Sequence, residues 1–129
     1  MSEALGLGDR IRFAERLPTD AALARVYRAA DLLLFPSLWE GFGWPPLEAM
    51  ACGTPPVTSN AGALPEVVGD VSAMAPAADI ERLAGIARQL LTDPELHQAA
   101  VRRGLARAAS FSWEACASKV CAVYAAVAG

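Results

Sequence analysis

The sequence has 129 residues, with 11 Lys and Arg against 14 Asp and Glu, which gives a formal net charge of −3 at pH 7. This length fits one domain, and a hydrophobic share of 54% is too high for a disordered segment. The acidic balance argues against nucleic acid as a partner, because a phosphate backbone attracts clustered Lys and Arg.

The first half of the chain alternates short apolar runs with helical patterns, which predicts a parallel α/β architecture. Residues 10–17 are predicted to form a strand, and residues 21–30 a helix with Tyr27 on its apolar face. Residues 32–36 form a short continuous apolar run, which is typical of a strand that is buried on both sides. Residues 45–52 are predicted to form a short helix with proline in its first turn.

The second half continues this alternation and then becomes helical. Residues 56–59 are predicted to form a third strand, 64–68 a one-turn helix and 71–75 a weaker fourth strand. Apolar residues from 80 to 91 recur at spacings of three and four, and residues 92–95 predict the cap and start of another helix. The last helix is expected to carry an apolar stripe formed by Trp113, Ala117, Val120, Cys121 and Tyr124.

The three cysteines lack a paired C-x-x-C spacing, so neither a disulfide framework nor a zinc site is expected. Cys52 is expected to be small and buried at a helix end, and Cys116 and Cys121 to face the core. Free cysteines favour a reducing cytoplasm, and the first residues carry acids where a signal peptide needs positive charge. No apolar run approaches the ~20 residues of a transmembrane segment.

The stretch from 36 to 70 carries the residues with clear chemical meaning. Glu40 and Glu48 stand eight positions apart and bracket a G-F-G segment and a proline pair. Glu40 is expected in the loop at the carboxyl end of a strand, where open α/β sheets bind ligands. The start of the next helix offers unpaired N–H groups and a partial positive charge. Because proline has no N–H, the expected donors are those of Gly41, Phe42, Gly43, Trp44, Leu47 and Glu48.

Carboxylates repel phosphate, but they accept strong hydrogen bonds from hydroxyl groups. Amides that suit an anion, flanked by carboxylates that suit hydroxyls, predict a site for a ligand made of sugar, diphosphate and ribose. Other interpretations remain open for the same residues. Glu40 fits an S-x-x-E capping box with Ser37, Glu48 could be a solvated first-turn acid, and Trp44 could serve packing alone. The arginines at 102, 103 and 107 are expected to form one solvated helix face.

The motif E-G-F-G-W-P-P-L-E-A-M-A-C-G-T-P, followed by S-N-A-G-A-L-P-E-V-V-G-D, closely resembles the nucleotide-sugar-binding half of retaining glycosyltransferases of the group 1 (family 4) type. The resemblance runs from about residue 6 to residue 124. It implies a Rossmann-like three-layer sandwich with a parallel sheet of about four strands, as a single partial C-terminal domain of a GT-B fold. It also implies transfer of a hexose from a nucleoside diphosphate sugar to an acceptor hydroxyl.

The resemblance assigns roles to individual positions. Glu40 matches the catalytic-site glutamate that contacts the hydroxyls of the donor sugar, and Glu48 matches the glutamate that holds the ribose, with Leu47 beside it. Leu17 matches a position whose backbone meets the base. The backbone groups expected at the sugar and the diphosphate are those of Gly41, Phe42, Gly43 and Trp44. The nucleotide sugar is a substrate, so the family implies no cofactor and no metal.

The sequence departs from the family in one respect. Two strands and helices that carry an Arg and a Lys for the diphosphate, and the acceptor-binding domain, have no counterpart in this sequence. Between residues 29 and 81 there are seven Asp and Glu and no Lys or Arg. We therefore expect part of an enzyme that is inactive alone, completed by a missing N-terminal domain or by a partner chain.

The missing strands would also leave the predicted strand 10–17 without neighbours, so it is expected to shift inward or to associate, which would allow a homodimer through an exposed edge. The alternative function is a non-catalytic module that binds nucleotide sugars. An unrelated α/β binding or regulatory domain is the third hypothesis.

Overall fold

The computed structural model describes residues 6–14 and 17–128. Over these residues, a single 3-10 turn (Gly8–Arg10) precedes two strands and six α-helices. Strands and helices alternate in the first half of the chain, and the second half is helical. The strands are β1 (Leu33–Phe35) and β2 (Pro56–Thr58). The helices are α1 (Asp20–Ala29), α2 (Trp44–Ala51), α3 (Leu64–Val68), α4 (Ile80–Thr92), α5 (Pro94–Ala109) and α6 (Trp113–Ala128).

Three of the helices begin where a side chain accepts hydrogen bonds from their first amides. Thr19 caps α1, Asp79 caps α4, and Asp93 caps α5 by accepting from two successive N–H groups at 3.0 Å. Such caps satisfy donors that have no partner inside the helix. α1, α2 and α3 begin and end within one residue of their predicted bounds, and α4, α5 and α6 begin where the sequence predicts helices, so these predictions are confirmed.

The sheet consists of β1 and β2, which pair in parallel with Leu33 opposite Pro56 and Phe35 opposite Thr58. One buried apolar cluster surrounds Val57 of β2, and a second lies between α2 and α3 around Met50. α5 packs against α2 because Gly104 lets the two helices approach closely. A Cβ atom at this position would lie 3.3 Å from Met50 Cγ.

The predicted sheet of four strands is not found in the described residues. Residues 11–14 form no strand and do not shift into the sheet, Phe13 is 90% exposed, and residues 15 and 16 lie outside the described part. Residues 71–75 contribute only one parallel bridge, between Ala75 and Ser59. β1 is also not buried on both sides, since Leu34 is half exposed. A strand is stabilised by its neighbours, so an apolar run without a paired neighbour stays irregular.

The expected burial of the last helix is wrong. No side chain of Trp113–Ala128 is buried, and both Trp113 and Tyr124 are more than two-thirds exposed. Cys116 and Cys121 are exposed instead of facing the core, whereas Cys52 is half-buried. The apolar pattern predicts a surface that can be covered, and no described element covers it.

The expected solvated arginine face is found only in part: Arg102 and Arg103 are exposed, but Arg103 and Arg107 also donate to backbone carbonyls. Arg107 Nε donates to the carbonyl of Val67 at 3.0 Å, and Arg107 Nη2 donates to the carbonyl of Glu66. Arg103 Nη2 donates to the carbonyl of Val71 at 3.0 Å. Because the last carbonyls of a helix lack partners within it, Arg107 satisfies two carbonyls at the end of α3. Arg103 satisfies a carbonyl just beyond α3, and both arginines join this segment to α5.

Two buried threonines give a matched test of this packing. Thr54 Oγ1 donates to the carbonyl of Tyr27 at 2.6 Å, whereas Thr58 Oγ1 has no hydrogen-bond partner within the described part of the chain. We expect Thr54→Val to lower the free energy of unfolding by about 1 kcal/mol, because it removes a hydrogen bond. Thr58→Val should leave that free energy unchanged or raise it, because burying an unbonded hydroxyl is unfavourable. Chemical denaturation measures both, and equal losses in the two variants would contradict this prediction.

Candidate functional site

Glu40 lies in the loop between β1 and α2, as predicted. Ser37 Oγ lies 2.9 Å from Glu40 Oε1, to which it donates, and 3.1 Å from the carbonyl of Trp39. No helix begins at Ser37, since α2 starts at Trp44, and the capping-box interpretation of Glu40 is therefore wrong. The contact instead holds the carboxylate through a hydroxyl donor.

The turn that follows β2 meets the Glu40 loop at the same edge of the sheet. Ser59 Oγ donates to the carbonyl of Ser37, and the N–H of Ala63 donates to the carbonyl of Glu40 at 3.1 Å. Both strands run in the same direction, so their carboxyl ends lie together. The position of Glu40 therefore depends on hydrogen bonds between two loops that are distant in the sequence.

Glu48 lies in α2, just after its first turn, and is half-buried. The hydroxyl of Tyr27 in α1 donates to Glu48 Oε2 at 3.2 Å. Burial, together with the neighbouring Glu48 carboxylate, raises the pKa of Tyr27 to about 12. The interpretation of Glu48 as a solvated first-turn acid is wrong. The sequence placed Tyr27 on the packed face of α1 but gave no signal for its partner, which is 21 positions away.

The G-F-G segment connects Glu40 to α2. Gly43 has a left-handed φ of 104° and starts the helix, which places the two prolines in its first turn. The ring of Phe42 packs against Trp44 at 4.8 Å and against Phe111 at 6.0 Å between centroids. Since this ring serves packing, the backbone is the part of Phe42 that remains for a ligand. Trp44 also packs, and half of its side chain is exposed.

Leu47 has internal roles in the structure. Its N–H donates to the carbonyl of Gly43 at 3.3 Å as the first hydrogen bond of α2, and its side chain is buried. This N–H, which the sequence counted among the available donors, is therefore already used. The amides before it, from Gly41 to Trp44, are the main-chain groups at the helix start.

A cavity of about 410 Å³ lies beside the G-F-G segment. It is walled by aromatic rings from the start of α2 and the α5–α6 connection, and Lys119 of α6 is its charged residue. A second hollow of about 430 Å³ holds Leu17 and the start of α1. The two share no residue, and neither is lined by Glu40 or Glu48. The structure thus brings Leu17 against α1, and the cavity that Leu17 lines does not include either glutamate.

Two further features bear on the chemistry of the site. Within residues 6–14 and 17–128, no three His, Cys, Asp or Glu side chains are grouped so that they could hold a metal ion. In the same ranges, no helix has the length and apolar character that crossing a membrane requires.

Comparison with known protein families gives a consistent result. The family model described as "Glycosyl transferases group 1" matches residues 1–107. O-antigen chain mannosyltransferase B of Escherichia coli is 43% identical over 114 residues, which is 88% of this chain and 30% of that protein. D-inositol 3-phosphate glycosyltransferase of Segniliparus rotundus is also 43% identical, over 95% of this chain and 28% of that protein. The chain thus spans less than a third of the length of these relatives.

Among solved structures, sucrose-phosphate synthase from Thermosynechococcus elongatus is similar with a TM-score of 0.84 and 32% sequence identity. The match covers 98% of this chain and 32% of that protein. The α/β arrangement of the chain is therefore one that occurs within a larger known structure.

The hydrogen bond between Tyr27 and Glu48 predicts a specific dependence on pH. Because the pKa of Tyr27 rises from 10.0 to about 12 on folding, the folded state keeps a proton that the unfolded state has lost between these values. The stability from this group is thus present below pH 10 and lost as the pH rises towards 12. Titration of phenolate absorbance should show a late step that is absent in Tyr27→Phe and retained in Tyr124→Phe. A late step that survives in Tyr27→Phe would contradict the assignment.

Proposed function

Because this chain belongs to the group 1 glycosyl transferases, we propose that it binds the donor of a retaining glycosyltransferase. The proposed reaction moves a hexose from a nucleoside diphosphate sugar to an acceptor hydroxyl. The relatives named above are glycosyltransferases that include a mannosyltransferase, which supports a hexose as the transferred group.

The observation that carries this proposal is the hydrogen bonding of the two glutamates. Glu40 accepts from the hydroxyl of Ser37, and Glu48 accepts from the hydroxyl of Tyr27. Both carboxylates are thus already held by the kind of donor that a sugar or a ribose presents. A carboxylate has about four acceptor positions on its two oxygens, so each retains positions for ligand hydroxyls.

In the proposed mechanism, Glu40 orients the donor sugar near the reacting carbon, and Glu48, with Leu47 beside it, anchors the ribose. The amides of the segment from Gly41 to Trp44, at the positive end of α2, stabilise the charge that develops on the departing diphosphate. Stabilisation of developing charge usually accelerates a reaction more than any other single effect in an active site. Leu17 is proposed to meet the base through its backbone.

Charge near this segment indicates that further groups are needed. Residues 29–81 hold seven acids and no Lys or Arg, and Arg103 and Arg107 direct donors to backbone carbonyls, which leaves Lys119 as the charged residue of the cavity beside the segment. Helix-end interactions are worth only about 0.3–1 kcal/mol each, which is little for a diphosphate. We propose that a second domain or a partner chain supplies the cations. The exposed apolar side chains of α6 and the half-exposed β1 edge offer surfaces for such a domain, for a partner, or for a second copy.

The alternative is a module that binds nucleotide sugars without catalysis, which the absence of cations between residues 29 and 81 favours. Transfer of a hexose by the chain joined to its cation-supplying partner would favour the enzyme, and binding without any transfer would favour the module.

In either case we propose a cytoplasmic location, where Cys52, Cys116 and Cys121 stay reduced.

Calorimetric titration of the chain tests the two glutamate roles separately. We expect Glu48→Gln to weaken binding of UDP and GDP about tenfold, because a charge-assisted hydrogen bond to the ribose is lost. Glu40→Gln should weaken only the sugar-bearing forms, UDP-glucose and GDP-mannose. Glu81→Gln, an exposed acid at the start of α4, is the matched control and should change neither.

A nucleotide that lacks both secondary ribose hydroxyls isolates the role of Glu48. It should bind the wild-type chain about tenfold more weakly than the normal nucleotide, and bind Glu48→Gln with no further loss. Full binding of normal nucleotides by Glu48→Gln would contradict the proposed ribose contact. The absence of heat for the wild-type chain at millimolar ligand would contradict binding by the chain alone.

A further inference from the structure

The turn after β2, residues 59–63, holds the main chain of the Glu40 loop at three points. Ser59 Oγ donates to the carbonyl of Ser37, and the N–H of Ala63 donates to the carbonyl of Glu40. The third point is Gly62, which packs directly against the backbone of Glu40. These contacts join two segments more than twenty residues apart along the chain.

Gly62 fits this place for two independent reasons. Its φ is +56°, a left-handed conformation that other residues adopt only with strain. In addition, a Cβ atom at this position would lie 2.9 Å from the nitrogen of Glu40 and closer still to its carbonyl oxygen. Both of these atoms belong to the backbone, so a side chain at 62 would displace Glu40 itself and not merely a flexible side-chain end.

From this contact we propose that Gly62 is a positioning residue for Glu40. The inference rests on the proposed function, in which the Glu40 carboxylate orients the donor sugar. The carboxylate is held by Ser37, and the carbonyl of Ser37 is held in turn by Ser59. Moving the backbone at Glu40 therefore shifts its carboxylate relative to the Ser37 hydroxyl that holds it. Reacting groups must be held to a fraction of an ångström, and a shift of ~1 Å can cost ~100-fold in rate.

Gly53 supplies a matched control. Its φ is +83°, so an alanine there has a similar conformational cost, but the nearest atom to its Cβ would be Val101 Cγ1 at 4.0 Å. Gly53→Ala therefore strains the backbone at the end of α2 without pressing on the Glu40 loop. Comparison of Gly62→Ala with Gly53→Ala separates displacement of Glu40 from general loss of stability.

The first measurement requires no ligand. Hydrogen–deuterium exchange of the 129-residue chain should show the amide of Ala63, which donates to the carbonyl of Glu40, exchanging about tenfold faster in Gly62→Ala, because its acceptor is displaced. In Gly53→Ala the same amide should stay within about twofold of the wild-type rate. Equal exchange of this amide in the two variants would overturn the proposal.

The second measurement separates the sugar from the nucleotide. Calorimetry should show Gly62→Ala binding UDP-glucose or GDP-mannose about tenfold more weakly, with UDP and GDP changed less than about twofold. In a Glu40→Gln background the same substitution should change binding less than about twofold, because the group that it positions has been altered. A full tenfold loss in that background, or an equal loss for UDP and GDP, would overturn the role of Gly62.

Ser59→Ala is the substitute variant for the exchange measurement if Gly62→Ala does not fold. It removes one hydroxyl donor from the turn and should accelerate exchange of the Ala63 amide by a smaller factor. Unchanged exchange in that variant would then count against the proposal. If the wild-type chain binds no nucleotide sugar, the proposed function fails, while the exchange measurement still decides whether Gly62 holds Glu40 in place.

Discussion

β1 and β2 pair in parallel with Phe35 opposite Thr58, so the two strands end at the same edge of the molecule. Everything at the candidate site depends on this pairing. It brings the loop after β1, with Glu40, against the turn after β2, where Ala63 donates to the carbonyl of Glu40. α2 then starts a few residues beyond Glu40 and carries Glu48 along the same segment of chain. A sheet of two short strands is thus enough to organise this site.

The sequence predicted those elements whose determinants are local. The six helices could be predicted because caps such as Asp93 and periodic apolar residues lie within the segments themselves. The loop position of Glu40 followed from the apolar run before it and the glycines after it. Contacts between distant segments could not be predicted in this way. The partner of Tyr27 lies 21 positions away and that of Arg107 lies 40 positions away, and no local pattern records such distances.

Two wrong predictions have one physical cause. Residues 10–14 and α6 both have apolar patterns, yet Phe13 and Trp113 are largely exposed. An apolar pattern shows that a surface can be buried, but the surface that buries it must come from another segment. Within the described residues, no segment buries residues 10–14 or α6. By contrast, α2 packs against α5 and is well buried. Whether an apolar segment is buried therefore depends on which other segments can pack against it, and an apolar pattern alone does not predict burial.

The contacts that hold Glu40 in place involve main-chain atoms and two serine hydroxyls. They do not involve the side chains of Leu38 and Trp39. These two neighbours of Glu40 are each more than three-quarters exposed. Their identity can consequently change through mutation while the acid stays where it is. The surface beside Glu40 can thus vary without loss of the hydrogen bonds that hold the loop. The arrangement separates the chemistry of this surface from the maintenance of the fold.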